Sequence, residues 1–188
     1  MSSSNSSSYS GLSCSCCADL LSPTHSRRDF LRNAAGVGLA AFLVPQLSFA
    51  AADYEALVLS CIDPRFQRLV FEHETKELRT DKYSAFTVAG ASIGVVAPAF
   101  KAWHETFWDN LAASVQLHRI NQVVVMNHRD CGAAKIAYGE AAVATPAAET
   151  ETHKNALLTF KAELAKRYPK MESQLGLMAL DGKVEFFS

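Results

Sequence analysis

Short, continuous apolar runs alternate along this chain with segments in which apolar residues recur at helical spacing. Such runs are typical of strands that are buried on both faces of a sheet. The pattern predicts strands at residues 56–59, 83–88, 123–126, 175–180 and 184–187. Asp181-Gly182 separates the last two strands and favours a hairpin turn, so the last strand is expected to be a short antiparallel edge.

The segments between the strands predict helices. Asp63-Pro64 combines a capping aspartate with proline at the first helical position, which is a typical helix start. The alanine- and threonine-rich segment 140–150 is expected to be a loop. Other segments show the spacing of amphipathic helices. These further helices are expected at residues 102–119, 131–138 and 157–164.

Alternating strands and helices predict an α/β fold with a mainly parallel sheet and helices on both faces. The strand order is expected to be 2-1-3-4, with the antiparallel edge strand beyond it. In such sheets, ligands bind at the carboxyl ends of strands where the direction of winding reverses. Cys61 follows the first strand and His128 follows the third. This order would therefore bring together two residues that are far apart in the sequence.

Residues 1–50 have the features of an export signal. Residues 1–18 are serine-rich and have too few apolar side chains to offset the cost of ordering the chain. The segment 26–32, S-R-R-D-F-L-R, precedes a mildly apolar stretch at 34–44. Residues 48–50, S-F-A, have the small-x-small pattern of a signal-peptidase site. This arrangement resembles a twin-arginine export signal.

The resemblance implies a mature domain of residues 51–188 that is exported to the periplasm. A membrane anchor is the alternative, but the apolar stretch has 11 residues, against the roughly 20 of a spanning helix. We therefore expect no stable membrane span in the mature form. The net charge of −1 offers no argument for nucleic acid or an anionic membrane as a partner.

Two cysteines and one histidine of the predicted mature chain have the identities of zinc ligands. Cys61, His128 and Cys131 offer two thiolates and one imidazole, the three protein ligands of a catalytic site that leaves its fourth position open. Thiolate-rich ligation favours zinc over magnesium or calcium, so one Zn²⁺ ion per chain is expected. A Cys61–Cys131 disulfide is the alternative in an oxidising compartment. Each residue alone also has an ordinary structural explanation.

Asp63 and Arg65 lie on the turn that carries Cys61. The ordinary interpretation is a helix-capping aspartate and a solvated surface charge. The functional interpretation places both beside the metal, where an ionised carboxylate can accept a hydrogen bond from metal-bound hydroxide. Arginine would fix that carboxylate and keep it ionised. We therefore expect Asp63 and Arg65 to be catalytic.

The motifs C-I-D-P-R at 61–65 and H-R-D-C-G at 128–132 resemble the C-x-D-x-R and H-x-x-C-G signatures of the β-class carbonic anhydrases. The resemblance implies reversible hydration of carbon dioxide to bicarbonate by zinc-bound hydroxide. It also implies that the two cysteines and the histidine bind the metal and that the aspartate and arginine form the catalytic dyad. By the same resemblance, the protein is expected to be a homodimer or a higher homo-oligomer.

Three segments depart from that family's pattern. Residues 89–92 read A-G-A-S where the family has R-N-A-G, and the charged pair R-D at 129–130 replaces a serine or threonine and a variable residue. This pair either alters hydrogen bonding beside the metal or faces solvent. The aromatic-rich segment 97–110 is a lid, a subunit contact, or a longer helix that packs Trp103 and Phe107 into the core.

These departures leave two other functions open. A hydrolase of carbonyl sulfide or carbon disulfide would use the same site, and a narrower, more apolar entrance would favour it. A noncatalytic zinc-binding protein is the second alternative. The presence of Asp63 and Arg65 argues against the latter, because a structural zinc site needs neither residue.

Overall fold

The computed structural model describes residues 54–188, and within them no helix is long and apolar enough to cross a lipid bilayer. The export signal predicted at residues 1–50 lies outside the described residues, so that signal and the domain boundary at residue 51 stay predictions. The described residues contain one sheet of five strands. These are β1 (Ala56–Ser60), β2 (Tyr83–Thr87), β3 (Gln122–His128), β4 (Glu172–Met178) and β5 (Val184–Phe187).

Helices connect the strands and cover both faces of the sheet. The α-helices are α1 (Pro64–Lys76), α2 (Ser92–Val96), α3 (Lys101–His118), α4 (Gly132–Tyr138) and α5 (Pro146–Arg167). Short 3₁₀ turns at Pro98–Phe100 and Glu140–Val143 precede α3 and α5.

The strand order is β2-β1-β3-β4-β5. The first four strands pair in parallel, and β5 pairs with β4 in the antiparallel direction. The predicted α/β fold, the order 2-1-3-4 and the antiparallel edge strand are therefore confirmed. Because β1 and β3 are neighbours, the direction of winding reverses between them, and their carboxyl ends meet at one edge of the sheet.

The central strands are apolar on both faces because each face packs against helices. All five residues of β1 and six of the seven in β3 are buried. On one face, Val58 and Val124 pack with Phe66 of α1. On the other, the side chains of α3 and α5 form an aromatic cluster, in which Phe107 and Phe160 lie 5.5 Å apart in edge-to-face geometry. These packed strands provide the rigid frame for the residues that follow them.

The helix predicted at 102–119 is confirmed as α3, but one of its expected core residues is not buried. Phe107 is fully buried, whereas Trp103 is 39% exposed. Trp103 instead stacks on Phe100 of the preceding turn, with ring centroids 4.4 Å apart. Segment 97–110 is thus a helix and its lead-in turn, and only part of its aromatic surface enters the core.

The loop predicted at 140–150 is wrong in both halves. Glu140–Val143 forms a 3₁₀ turn, and α5 begins at Pro146. Thr145 caps this helix, and its Oγ1 accepts a hydrogen bond from the Ala148 N–H at 3.2 Å. Threonine followed by proline is a helix-start signal. The alanine- and threonine-rich composition of segment 140–150 favours a loop and obscures this helix-start signal, although alanine and glutamate are good helix formers.

We expect Thr145→Ala to lower the free energy of unfolding by about 1 kcal/mol, because the N–H of Ala148 loses its capping acceptor. Thr145→Ser retains the hydroxyl and should be close to the wild type. Urea denaturation of the three proteins measures the difference. Equal midpoints for the alanine and serine variants would contradict a stabilising role for this cap.

Candidate metal centre

Two neighbouring strand ends bring the predicted metal ligands together. Cys61 directly follows β1, His128 is the last residue of β3, and Cys131 precedes α4. Their side chains are buried, with exposed fractions of 4%, 0% and 2%. The Sγ and imidazole nitrogen atoms that could bind a metal all lie within 4.8 Å of one another. Both cysteines are free thiols, so the arrangement is a donor cluster and not a disulfide.

The chemistry of this cluster fits a zinc ion. Nδ1 of His128 donates a hydrogen bond to the carbonyl oxygen of Arg129 at 2.8 Å, which orients the ring and leaves Nε2 with a free lone pair. Nε2 is buried and has no hydrogen-bond partner of acceptable geometry. An unsatisfied buried polar atom is costly, and a metal ion would remove that cost. Two sulfur donors and one nitrogen donor are a ligand set that zinc prefers.

The three donors also perturb one another's protonation. The Cys131 thiol, as a hydrogen-bond donor, lowers the pKa of Cys61 to about 4 although burial opposes this. The same interaction, together with burial, raises the pKa of Cys131 above its usual range. Burial alone would lower the pKa of His128, but the neighbouring Cys61 sulfur outweighs it and raises this pKa. The cluster thus favours a buried thiolate at Cys61, and a buried thiolate attracts a cation.

Asp63 and Arg65 form a close ion pair beside the cluster. Arg65 donates from Nη2 to Asp63 Oδ2 at 2.7 Å and from Nε to Oδ1 at 3.1 Å. The backbone N–H of Arg65 donates to Oδ1 at 2.9 Å, so the aspartate also caps α1. Hydrogen bonding by Arg65 lowers the pKa of Asp63 to about 2. Oδ2 of this ionised carboxylate lies 4.0 Å from Nε2 of His128.

Both residues of the charged pair Arg129-Asp130 make hydrogen bonds beside the cluster, which is the first of the two alternatives that the sequence left open. Asp130 contacts the dyad, because its Oδ2 accepts from Nη1 of Arg65 at 2.9 Å. Arg129 points the other way and donates to Glu149 on α5 at 3.2 Å and to Glu185 on β5 at 3.1 Å. Sequence reasoning missed Glu149, because no pattern relates a residue in a segment predicted to be a loop to Asp130, 19 positions earlier.

The segment A-G-A-S at 89–92 forms one wall of the cluster. The N–H of Gly90 donates to Sγ of Cys61 at 3.2 Å. Gly90 has φ +80°, and a Cβ atom there would lie 3.0 Å from that of Ala133, so only glycine fits without a shift. This wall therefore contacts the Cys61 sulfur through its backbone, and it lacks the arginine and asparagine side chains of the family pattern.

A buried polar network supports that wall from behind. Ser92 donates from its backbone N–H and its Oγ to Oδ1 of Asn127, at 3.1 and 3.0 Å. Nδ2 of Asn127 lies 3.1 Å from Nδ1 of His153. Burial lowers the pKa of His153 to about 4, so its ring is neutral and can accept this hydrogen bond. Sequence reasoning missed Asn127 and His153, although Asn127 directly precedes His128 in the chain.

The mouth of the cluster is apolar. A cavity of about 370 Å³ opens onto Cys61, Asp63 and His128. Its other walls are mainly hydrocarbon and aromatic surface, and several of them reach solvent. The apolar residues that line it are Ile62, Pro64, Ala89, Phe100, Trp103, Ala133 and Ile136. The arrangement thus combines a donor cluster, an ionised carboxylate and a passage suited to a small apolar molecule.

The strand order and the positions of Cys61, His128 and Cys131 at the strand ends agree with the resemblance to the β-class carbonic anhydrases. Residues 51–165, more than half of the chain, match the protein family described as "Putative carbonic anhydrase". The chain belongs to this family, and its fold is that of the β-carbonic anhydrases.

Two uncharacterized Rickettsia proteins are similar to this chain. An uncharacterized protein of Rickettsia conorii is 32% identical over 132 residues, which is 69% of this chain and 69% of that protein. An uncharacterized protein of Rickettsia bellii is 31% identical over 132 residues, 69% of this chain and 79% of that protein.

Two solved structures show the same fold at low sequence identity. The β-carbonic anhydrase CcaA has a TM-score of 0.54 and 16% identity, with 87% of this chain and 96% of that one covered. The β-carbonic anhydrase CafA of Aspergillus fumigatus has a TM-score of 0.51 and 15% identity, with coverage of 86% and 88%.

Proposed function

We propose that this protein catalyses the reversible hydration of carbon dioxide to bicarbonate with one Zn²⁺ ion per chain, bound by Cys61, His128 and Cys131. One observation carries the proposal: an ionised carboxylate, paired with an arginine, lies 4.0 Å from the unpartnered nitrogen of a buried donor cluster. A purely structural metal site has no use for such a pair. Membership of the carbonic anhydrase family supports the same reaction.

Zinc bound there would supply acidified water and a positive charge that stabilises developing negative charge. The chain's own residues do the rest. The Asp63 carboxylate accepts a hydrogen bond from the attacking water and orients its lone pair toward carbon dioxide. Arg65 keeps that carboxylate ionised, since its hydrogen bonds hold the pKa of Asp63 near 2. The apolar walls at Ile62 and Trp103 admit a small, uncharged substrate.

The test is stopped-flow hydration of carbon dioxide by the zinc-loaded protein between pH 6.5 and 9, with the metal-free protein as control. Activity that requires zinc and rises with pH would support the proposal. A zinc-loaded protein that is inactive at every pH would refute it, and would leave the noncatalytic alternative.

Carbonyl sulfide and carbon disulfide remain a second substrate class, and the apolar mouth favours them. Both molecules are linear and uncharged like carbon dioxide, and sulfur makes them more compatible with a passage lined by Trp103 and Ile136. Release of hydrogen sulfide, measured on the same zinc-loaded sample, separates the two reactions. A higher kcat/KM for the sulfur compounds would assign the protein to that hydrolase class.

We also propose that the protein acts in the periplasm after export through the twin-arginine route. The support is the S-R-R-D-F-L-R motif, with the apolar stretch and the small-x-small site that follow it. A folded zinc protein suits this route. Cell fractionation that finds the full-length protein only in the cytoplasm would refute the location.

The apolar rim of the mouth further supports a homo-oligomer. Ile136 is 73% exposed and Ile62 is 57% exposed, and both line the same cavity with the partly exposed Trp103. Grouped apolar residues on a surface are typical of an interface. We propose that a second copy of the chain covers this rim.

We expect Ile136→Glu to raise the dissociation constant of the dimer at least about 10-fold, because a charge in an apolar interface must be desolvated. Leu117→Glu is the matched control, since Leu117 is 58% exposed and does not line the mouth. Sedimentation velocity over a range of concentrations measures both variants. Equal behaviour of the two variants would place the interface elsewhere.

A further inference from the structure

Arg65 is held from two sides. One edge of its guanidinium, Nε and Nη2, faces Asp63, with the shortest contact at 2.7 Å. On the other side, Nη1 donates to Oδ2 of Asp130 at 2.9 Å, and Nη2 donates to the backbone oxygen of Asp130 at 3.2 Å. Every nitrogen of the guanidinium therefore has an acceptor, and Asp63 and Asp130 each supply two acceptor atoms.

The backbone of Asp130 is itself fixed from α5. Its φ of +57° lies in the left-handed region, which few residues other than glycine, asparagine and aspartate adopt readily. Its N–H donates to Oε1 of Glu149 at 2.6 Å. Oε2 of the same glutamate accepts from Arg129 at 3.2 Å. Glu149 is only 12% exposed, so this support is well ordered, and it sets where the Asp130 carboxylate lies.

The contacts with Asp130 restrict the conformation of Arg65, whose long side chain is 49% exposed. An exposed ion pair with a single carboxylate contributes little, because ordering the arginine costs side-chain entropy. A second anchor selects one arginine conformation and hence one orientation of Asp63. Without it, the side-chain pair would weaken, and Oδ2 of Asp63 could turn toward Nε2 of His128, 4.0 Å away, while Oδ1 keeps its bond to the backbone N–H of Arg65. Carboxylate oxygens are themselves zinc ligands.

We propose that Asp130 is a positioning residue: supported by Glu149, it holds Arg65 so that Asp63 stays paired with the arginine and off the metal. The fourth ligand position is thereby kept open for water. The inference rests on the proposed function, because an open position matters only to a catalytic site. Neither the C-x-D-x-R motif nor the H-x-x-C-G motif requires a carboxylate at position 130. The contact of Asp130 with Arg65 is therefore a feature of this chain's own sequence.

The direct test is NMR of the zinc-loaded protein labelled with ¹⁵N-arginine, comparing wild type with Asp130→Asn. Asparagine tolerates a positive φ, so this change removes the charge and leaves the backbone in place. In the wild type we expect separate Nη1 and Nη2 signals for Arg65, because hydrogen bonds on both sides slow rotation of the guanidinium. In Asp130→Asn these signals should merge while the Nε–H signal persists. Their loss in Arg65→Lys assigns them.

Kinetics on the same samples complete the test. We expect kcat/KM for carbon dioxide hydration to fall roughly 10-fold in Asp130→Asn, the lower end of the range for residues that orient a metal site, with zinc content unchanged. Glu149→Gln should show a smaller change of the same kind. Glu140→Gln, a change at an exposed glutamate of the preceding turn, is the matched control and should leave both readouts unaltered.

The outcomes separate this inference from the proposed function. Arg65 signals that are already merged in the wild type, or that are identical in Asp130→Asn, would overturn the positioning role whatever the activity. Separate signals that merge in the variant, together with a lower kcat/KM, would establish it. If no sample hydrates carbon dioxide, the proposed function fails, and a catalytic positioning role for Asp130 fails with it.

Discussion

His128→Asn should bind almost no zinc and should lose carbon dioxide hydration by more than about 1,000-fold, since enzymes accelerate reactions by about 10⁶-fold or more and this site would lose its metal. Asparagine can still donate a hydrogen bond to the carbonyl oxygen of Arg129, as Nδ1 of the histidine does. It removes Nε2, the buried nitrogen that has no partner. Zinc content after dialysis and the initial rate of hydration measure the effect.

The chain offers a closely matched control for this change. His153 is also fully buried, and its Nε2 also has no hydrogen-bond partner. It lies outside the donor cluster, however. His153→Asn should therefore keep about one zinc per chain, although it weakens the network through Asn127 and lowers stability. Equal loss of zinc in the two variants would mean that burial of polar groups, and not ligation by His128, maintains the site.

Asp63→Asn should lower kcat/KM by about 100-fold while zinc stays bound, because the change removes only the charge that orients the attacking water. Asparagine is as good a helix cap as aspartate, so the start of α1 should be unaffected. Stopped-flow assays between pH 6.5 and 9 give the size of the loss. The wild-type rate should not follow ionisation of Asp63 in this range, since its pKa lies near 2.

Asp109→Asn is a suitable comparison, because it removes an exposed carboxylate from α3. It should have no effect on the rate. Full activity of the Asp63 variant would exclude the dyad from the mechanism. Loss of zinc in the Asp63 variant would instead point to a role in binding the metal.

The sequence predicts the centre of the fold well because the centre is governed by local composition. Strands β1 and β3 are continuous apolar runs, and only burial on both faces explains such runs. Parallel strands place their carboxyl ends at one edge, so the proximity of Cys61 and His128 follows from topology. The Asp63-Pro64 helix start is equally local, and the capping hydrogen bond at 2.9 Å agrees with it.

The features that the sequence did not predict depend on contacts between distant side chains. Asp130 is 65 positions from Arg65, and Glu149 is 19 positions from Asp130. No periodicity encodes such pairs. Trp103 fits the helical spacing of the buried residues but is partly exposed, and it stacks on Phe100 instead of entering the core. The sequence therefore predicts the donor cluster and the Asp63–Arg65 pair, but it does not predict the residues that hold Arg65 in place.

The backbone at Asp130 also restricts how this site can change over evolutionary time. A φ of +57° costs most residues about 1–2 kcal/mol, so asparagine and glycine are the replacements that a lineage can accept most easily. Each is one nucleotide change away from an aspartate codon, and each would remove the carboxylate from Arg65. A lineage can thus lose this anchor in a single step without losing the fold. The reverse change from asparagine or glycine is equally a single step, so this carboxylate can come and go among lineages that keep the same backbone.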